Sequence, residues 1–114
     1  MTMLKRFSRL FAKKGAPIIA RLPIAGLKYY RAAELATLMQ RGDMLSLEHE
    51  ANNPHDPNAV MIFWNRNKIG YVPSEHAKLL HELLAKHQKL SGKIVEIDPA
   101  AGESRWVKLN IYPT

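Results

Sequence analysis

The sequence predicts a mainly β fold, with five or six short strands and two α-helices making a small antiparallel barrel or curved sheet. Short runs of alternating or continuous apolar residues recur between turn-forming residues, and two stretches of helical spacing interrupt them. The length of 114 residues suits one domain with a single core.

Met3 to Phe11 places Leu4, Phe7, Leu10 and Phe11 on one helical stripe beside Lys5, Arg6 and Arg9, and Gly15 and Pro17 stop the segment. The chain therefore divides into a basic amphipathic arm over residues 1–17 and a domain over residues 18–114. Ile18 to Leu27 reads as a first strand, irregular at Pro23 and Gly26. Arg31 to Met39 has helical spacing, with Ala33, Leu35, Ala36 and Met39 apolar and Gly42 as its stop. Met44 to Glu50 is a strand whose Leu45 and Leu47 face the core.

Ala59 to Trp64 is apolar on both faces, as in a central strand. Asn65-Arg66-Asn67-Lys68 suits a tight hairpin, because Asn tolerates positive φ, and Lys68 to Val72 returns as the partner strand. Pro73 and Ser74 open a helix with Ser74 as N-cap and Ala77, Leu80, Leu83 and Leu84 as its buried stripe. Lys89 to Asp98 and Ser104 to Tyr112 form a closing hairpin around Pro99 to Gly102. In its last strand Val107, Leu109 and Ile111 point one way.

The formal net charge of +7 is unevenly placed. Met1 to Ala33 holds eight Lys and Arg and no acid, whereas the remaining nine are outnumbered by ten Asp and Glu. Such an excess at one end fits an arm or face that meets phosphate or an anionic membrane; a solvated basic tail is the plainer reading. The chain has no cysteine, which excludes disulfides, thiolate nucleophiles and cysteine-rich zinc sites and fits a cytoplasmic location. No apolar run approaches the roughly 20 residues that cross a bilayer. Arg21 and Pro23 break the apolar stretch that a signal peptide would need.

Two clusters carry potential chemistry. In Gly26-Leu27-Lys28-Tyr29-Tyr30-Arg31, adjacent tyrosines on a strand cannot both face one core. One ring is expected to be exposed between flanking cations, an arrangement on which bases stack while phosphates meet Lys or Arg. One core tyrosine beside one surface tyrosine explains the pattern equally well. In Asn52-Asn53-Pro54-His55-Asp56-Pro57-Asn58-Ala59-Val60 the Asn, Asp and Pro residues build a loop, with Asn53, Asp56 and Asn58 as candidate turn caps. His55 and Asp56 are expected to project from its tip. Asp56 is the only acid in the loop, and His76, His81 and His87 lack helical metal-pair spacing, so neither a metal site nor a cofactor is expected. No nucleophile triad or phosphate-cradling glycine loop is visible, and no catalytic residue or enzymatic activity is expected.

These residues resemble a known family. Ile24 to Tyr30, Asn52 to Val60 and Ile69-Gly70-Tyr71-Val72-Pro73 are similar to the HIRAN domain, over about Leu22 to Tyr112. The resemblance implies a six-stranded OB-like β-barrel that binds single-stranded DNA, with capture of a free 3′ end as the finer expectation, in DNA repair or replication-fork processing. By position, Tyr29 would stack on a base, Lys28 would meet a phosphate, and Asp56 would accept a hydrogen bond from a terminal 3′-hydroxyl. Tyr30 would support the barrel and reach the DNA backbone, with Arg31 beside it. This sequence departs from the family's end-binding pattern by His55 in place of a second stacking tyrosine, Tyr71 in place of a phosphate-binding histidine, and Ser74 near a basic position. A helix N-terminus at Ser74 offers partial compensation for phosphate. The alternatives are a protein-interaction adaptor of the same fold, with a DNA repair or replication protein as partner, and membrane attachment through the Leu4 to Phe11 stripe.

Overall fold

The structure, a computed structural model, describes residues 16–30, 32–101 and 106–114. The arm expected over residues 1–17 lies almost wholly outside the described residues, as does Arg31.

Six strands form one antiparallel sheet: β1 (Ile19–Pro23), β2 (Met44–His49), β3 (Val60–Trp64), β4 (Asn67–Tyr71), β5 (Leu90–Ile97) and β6 (Val107–Pro113), in the spatial order β1-β6-β5-β2-β3-β4. The alternation expected in the last strand is present, with Val107, Leu109 and Ile111 buried and their neighbours half-buried. Gly92 of β5 lets β2 and β6 pack closely, since a Cβ there would lie 2.9 Å from Leu109 Cδ1 and 3.1 Å from Leu45 Cβ. Val60 and Ile62 of β3 are also buried, so one continuous aliphatic cluster lies inside the curl of the sheet. No polar residue among the described ones is fully buried.

One full helix seals this core. α2 (Ser74–Ala85) buries Ala77 and Leu80 and lays Leu83 and Leu84 against the cluster. It ends in a reciprocal cap: His87, at φ 65°, donates from its N–H to Leu84 O at 3.0 Å, and Gln88 N–H donates to Leu83 O at 3.0 Å. The helix expected from Arg31 to Met39 contracts to α1 (Ala32–Leu35) and a hydrogen-bonded turn. Among the described side chains Ala32, Leu35 and Met39 are anchored there by burial, too short an apolar stripe to extend a helix.

Ser74 is not the N-cap of α2. Pro73 takes that position at φ −53° and ψ 141°, and its carbonyl accepts the His76 N–H at 2.9 Å, leaving Ser74 as the first helical residue. The β3–β4 hairpin turns through Asn65 (φ 45°) and Arg66 (φ 69°), so β4 starts one residue earlier than its apolar pattern suggests.

The two edges of the sheet meet at one point, giving a curled half-barrel. Ala25 N–H donates to Tyr71 O at 2.8 Å, and Tyr71 N–H donates to Ala25 O at 2.9 Å. Gly70 permits this approach: a Cβ there would lie 2.5 Å from both Ala25 O and Ile24 Cγ2. We predict that Gly70→Ala costs about 3 kcal/mol in urea unfolding, because backbone rather than a flexible side chain must yield. Gly42→Ala, at φ 93° with no atom within 4 Å, is the control and should cost about 1–2 kcal/mol. A Gly70→Ala variant no weaker than this control would show that the edge contact is dispensable.

Candidate functional site

A groove of about 250 Å³ opens where Ala25, the β2–β3 loop, the end of β4 and the start of α2 converge. Asn53, His55 and Asp56 form one wall, and Tyr71 and Ser74 form the other.

The loop wall is held by its own side chains. Asn53 Oδ1 accepts the N–H groups of His55 and Asp56, each at 2.8 Å. Asp56 Oδ1 accepts the Asn58 N–H at 2.9 Å, and Asp56 O accepts the Ala59 N–H at 3.1 Å. His49 Nε2 lies 2.8 Å from Pro57 O, which can only accept, so that ring nitrogen carries the proton. Asn53 therefore acts architecturally, whereas Asp56 has two functions available. It is half-buried, its Oδ1 is committed to the loop, and its Oδ2 has no hydrogen bond among the described residues. His55 is exposed at the tip.

Beneath Tyr71 lies a polar cluster. Its hydroxyl donates to Glu50 Oε1 at 2.6 Å, and Lys68 Nζ donates to the same hydroxyl at 2.6 Å. Asn53 Nδ2 donates to Glu50 Oε1 at 2.7 Å, whereas Lys68 Nζ lies 3.4 Å from Glu50 Oε2. Glu50 thus ties the loop to β4. The hydrogen bonds from Tyr71 and then Asn53, with Lys68 nearby, lower the Glu50 pKa below 4.5. Burial and then the Glu50 bond push the Tyr71 pKa up to about 12. Burial works against the Lys68 ammonium, but the Tyr71 hydroxyl and the surrounding oxygens outweigh it and raise its pKa.

A β-bulge creates this cluster. Phe63 pairs with Lys68 and Ile62 with Gly70, so Ile69 is an extra residue and the side-chain alternation shifts across it. Lys68 and Tyr71 consequently share a face, while Ile69 and Val72 enter the core. Neither Lys68 nor Glu50 is singled out by sequence reasoning. A lysine three residues before a tyrosine is unremarkable until the bulge aligns them.

The tyrosine pair separates as expected, by a different route. Gly26, at φ 77°, turns the chain out of the strand direction into a 3-10 turn over Leu27–Tyr29. Tyr29 is 74% exposed, and Lys28 Nζ stands 5.1 Å from its ring centroid. Tyr30 is half-buried, its ring edge-on to Tyr71 with centroids 5.9 Å apart at 63°. His55, Asp56, Tyr71 and Ser74 therefore share the groove, Tyr30 backs it through Tyr71, and Lys28 and Tyr29 stand on the turn beyond Ala25. Among the described residues, no three His, Cys, Asp or Glu side chains are grouped to hold a metal.

The family model of the HIRAN domain matches residues 20–112. The chain belongs to the HIRAN domain family. A helicase-like transcription factor of Oryctolagus cuniculus is 34% identical over 58 residues, 50% of this chain and 5% of that protein. This HIRAN domain thus spans about a twentieth of the relative's length. Among solved structures, a protein from Lactobacillus plantarum has a TM-score of 0.67 at 19% identity, over 82% of this chain and 93% of the other. The crystallised HIRAN domain of human HLTF has a TM-score of 0.65 at 22% identity, over 81% of this chain and 72% of the other. Both likenesses concern the fold.

The lowered Glu50 pKa links this HIRAN domain's stability to pH. Its carboxylate contributes above the ordinary value of 4.5, and the contribution is lost as pH falls through the lower folded-state value. Thermal midpoints measured from pH 7 to pH 3 should therefore fall less steeply in Glu50→Gln than in wild type. Some slope should remain, because Lys108 and Arg21 also lower the Glu96 pKa. Parallel curves for the two proteins would remove Glu50 from the acid response.

Proposed function

We propose that this HIRAN domain is a nucleic-acid-binding module that recognises single-stranded DNA at a free 3′ end, without catalysing a reaction. Asp56 carries this reading. A carboxylate repels a polyanion unless it meets a donor, and the uncommitted Oδ2 of Asp56 can accept a hydrogen bond from a hydroxyl. A terminal 3′-hydroxyl is such a donor, and a terminal 3′-phosphate is the group that Asp56 would repel.

Exposed Tyr29 supplies a stacking face, and Lys28 above it supplies charge for the adjoining phosphate. His55 offers a smaller second ring at the loop tip. Ser74, exposed in the first turn of α2, adds a hydroxyl and backbone donors suited to a phosphate oxygen. Arg31 follows the tyrosine pair in sequence and adds a further cation to this reading. The rabbit relative's description as a helicase-like transcription factor supports a nucleic-acid setting. The corresponding role is binding at ends processed in DNA repair or replication, in the cytoplasm.

Fluorescence polarisation with a short single strand, its 3′ end either free or phosphorylated, tests the reading at two salt concentrations. The free end should bind more tightly, and both affinities should fall with salt. Asp56→Asn, which keeps an acceptor for the Asn58 N–H, should erase the preference for the free end. Tyr29→Ala should weaken both probes by about 1–3 kcal/mol, the usual worth of one stacked base. Equal binding of the two probes would eliminate end recognition. No binding at low salt would eliminate the nucleic-acid reading and favour a protein partner.

A further inference from the structure

Among the described residues no Lys or Arg lines the groove, yet one cation reaches it through Tyr71. We propose that Lys68 is the phosphate-contacting cation of the groove and that Glu50 competes with phosphate for it; this rests on the single-stranded DNA reading above.

The hydrogen-bond inventory of Lys68 supports this role. One N–H of the ammonium goes to Tyr71 Oη at 2.6 Å. A second points to Glu50 Oε2 at 3.4 Å, a long contact for opposite charges. The remaining N–H has no acceptor among the described residues, and Nζ stands 4.8 Å from the Tyr30 ring centroid. The side chain is 25% exposed, so the ammonium is restrained by its neighbours and still open to a ligand.

Glu50 depends on Lys68 less than on its other partners. Its Oε1 already receives Tyr71 and Asn53 at 2.6 and 2.7 Å, and neither bond involves the oxygen that faces Lys68. A phosphate oxygen could form a charge-assisted bond to Lys68 of about 2.7–2.9 Å, shorter than its present contact with Glu50. The Tyr71 O–H, meanwhile, is spent on Glu50 and has no second proton for phosphate. Tyr71 thus serves as the post that positions Lys68, and the lysine supplies the charge.

The competing account gives Lys68 only the task of holding Tyr71. Salt dependence separates the two accounts, because each phosphate contact to a single strand contributes about −0.7 to the slope of log K against log salt. Lys68→Gln, which can still donate to Tyr71 Oη, should lower affinity and flatten that slope by about 0.7. Lys68→Arg should keep the wild-type slope, and Glu50→Gln should raise affinity at low salt by removing the competitor. Circular dichroism confirms that each variant is folded. Should wild type bind while Lys68→Gln retains the full slope, or Glu50→Gln bind no more tightly, Lys68 is structural and only this inference falls. Failure of wild type to bind at low salt overturns both it and the DNA reading.

Discussion

Where the chain leaving β1 crosses β4, two backbones come so close that no side chain fits between them. The absent Cβ of Gly70 would sit 2.5 Å from Ala25 O, within the space the paired strands need. From this contact the geometry of the groove follows. The Ala25–Tyr71 pair joins the outer edges of a six-stranded sheet and thereby fixes Tyr71 in the groove wall. It also sets the point from which Gly26 swings the chain into the Leu27–Tyr29 turn, which aims Tyr29 outward and Tyr30 back onto Tyr71. Sheet closure and the groove wall thus share one backbone contact.

Glu50 performs the equivalent task for the opposite wall. A single carboxylate oxygen gathers Asn53 from the loop and Tyr71 from the edge strand, and Asn53 in turn orders His55 and Asp56 through its own carbonyl oxygen. The position of Asp56 is therefore coupled to that of Tyr71 through two side chains, with no direct contact required. The Tyr71 hydroxyl and the Asn53 amide each meet the Glu50 carboxylate at 2.6–2.7 Å, and a partly buried network that lost this acceptor would be costly.

Patterns set by local chemistry were legible in the sequence. Alternation in β6, the all-apolar run of β3, the Asn-rich hairpin and the apolar stripe of α2 each follow from side-chain period or turn preference. Features that depend on contacts distant in sequence were not. The bulge at Ile69 directly precedes the crossing at Gly70, and it brings Lys68 beside Tyr71. Ser74 reads as a cap by residue type, yet Pro73 already holds the extended geometry of a cap with its fixed φ. The tyrosine pair was read from strand alternation and is separated instead by a turn that one left-handed glycine initiates. In the Asn52–Asn58 loop the caps Asn53 and Asp56 were legible, whereas Asn58 is capped through its own N–H and the free oxygen of Asp56 required the structure.

The balance of charges distinguishes what attracts a ligand from what selects it. The excess of the +7 chain lies before residue 34, whereas the groove holds Asp56 with Glu50 behind it. A site built for affinity toward a polyanion would exclude both carboxylates, because long-range attraction is already supplied by the basic end. Under the single-stranded DNA reading Asp56 adds discrimination: it would weaken every ligand that presents only phosphate and spare one that brings a hydroxyl donor. Glu50 adjusts the same balance by holding the Lys68 charge partly neutralised until a competing anion arrives. In the proposed reading, selectivity is obtained by placing negative charge where most of the ligand is also negative, so that only the end of a strand can satisfy it.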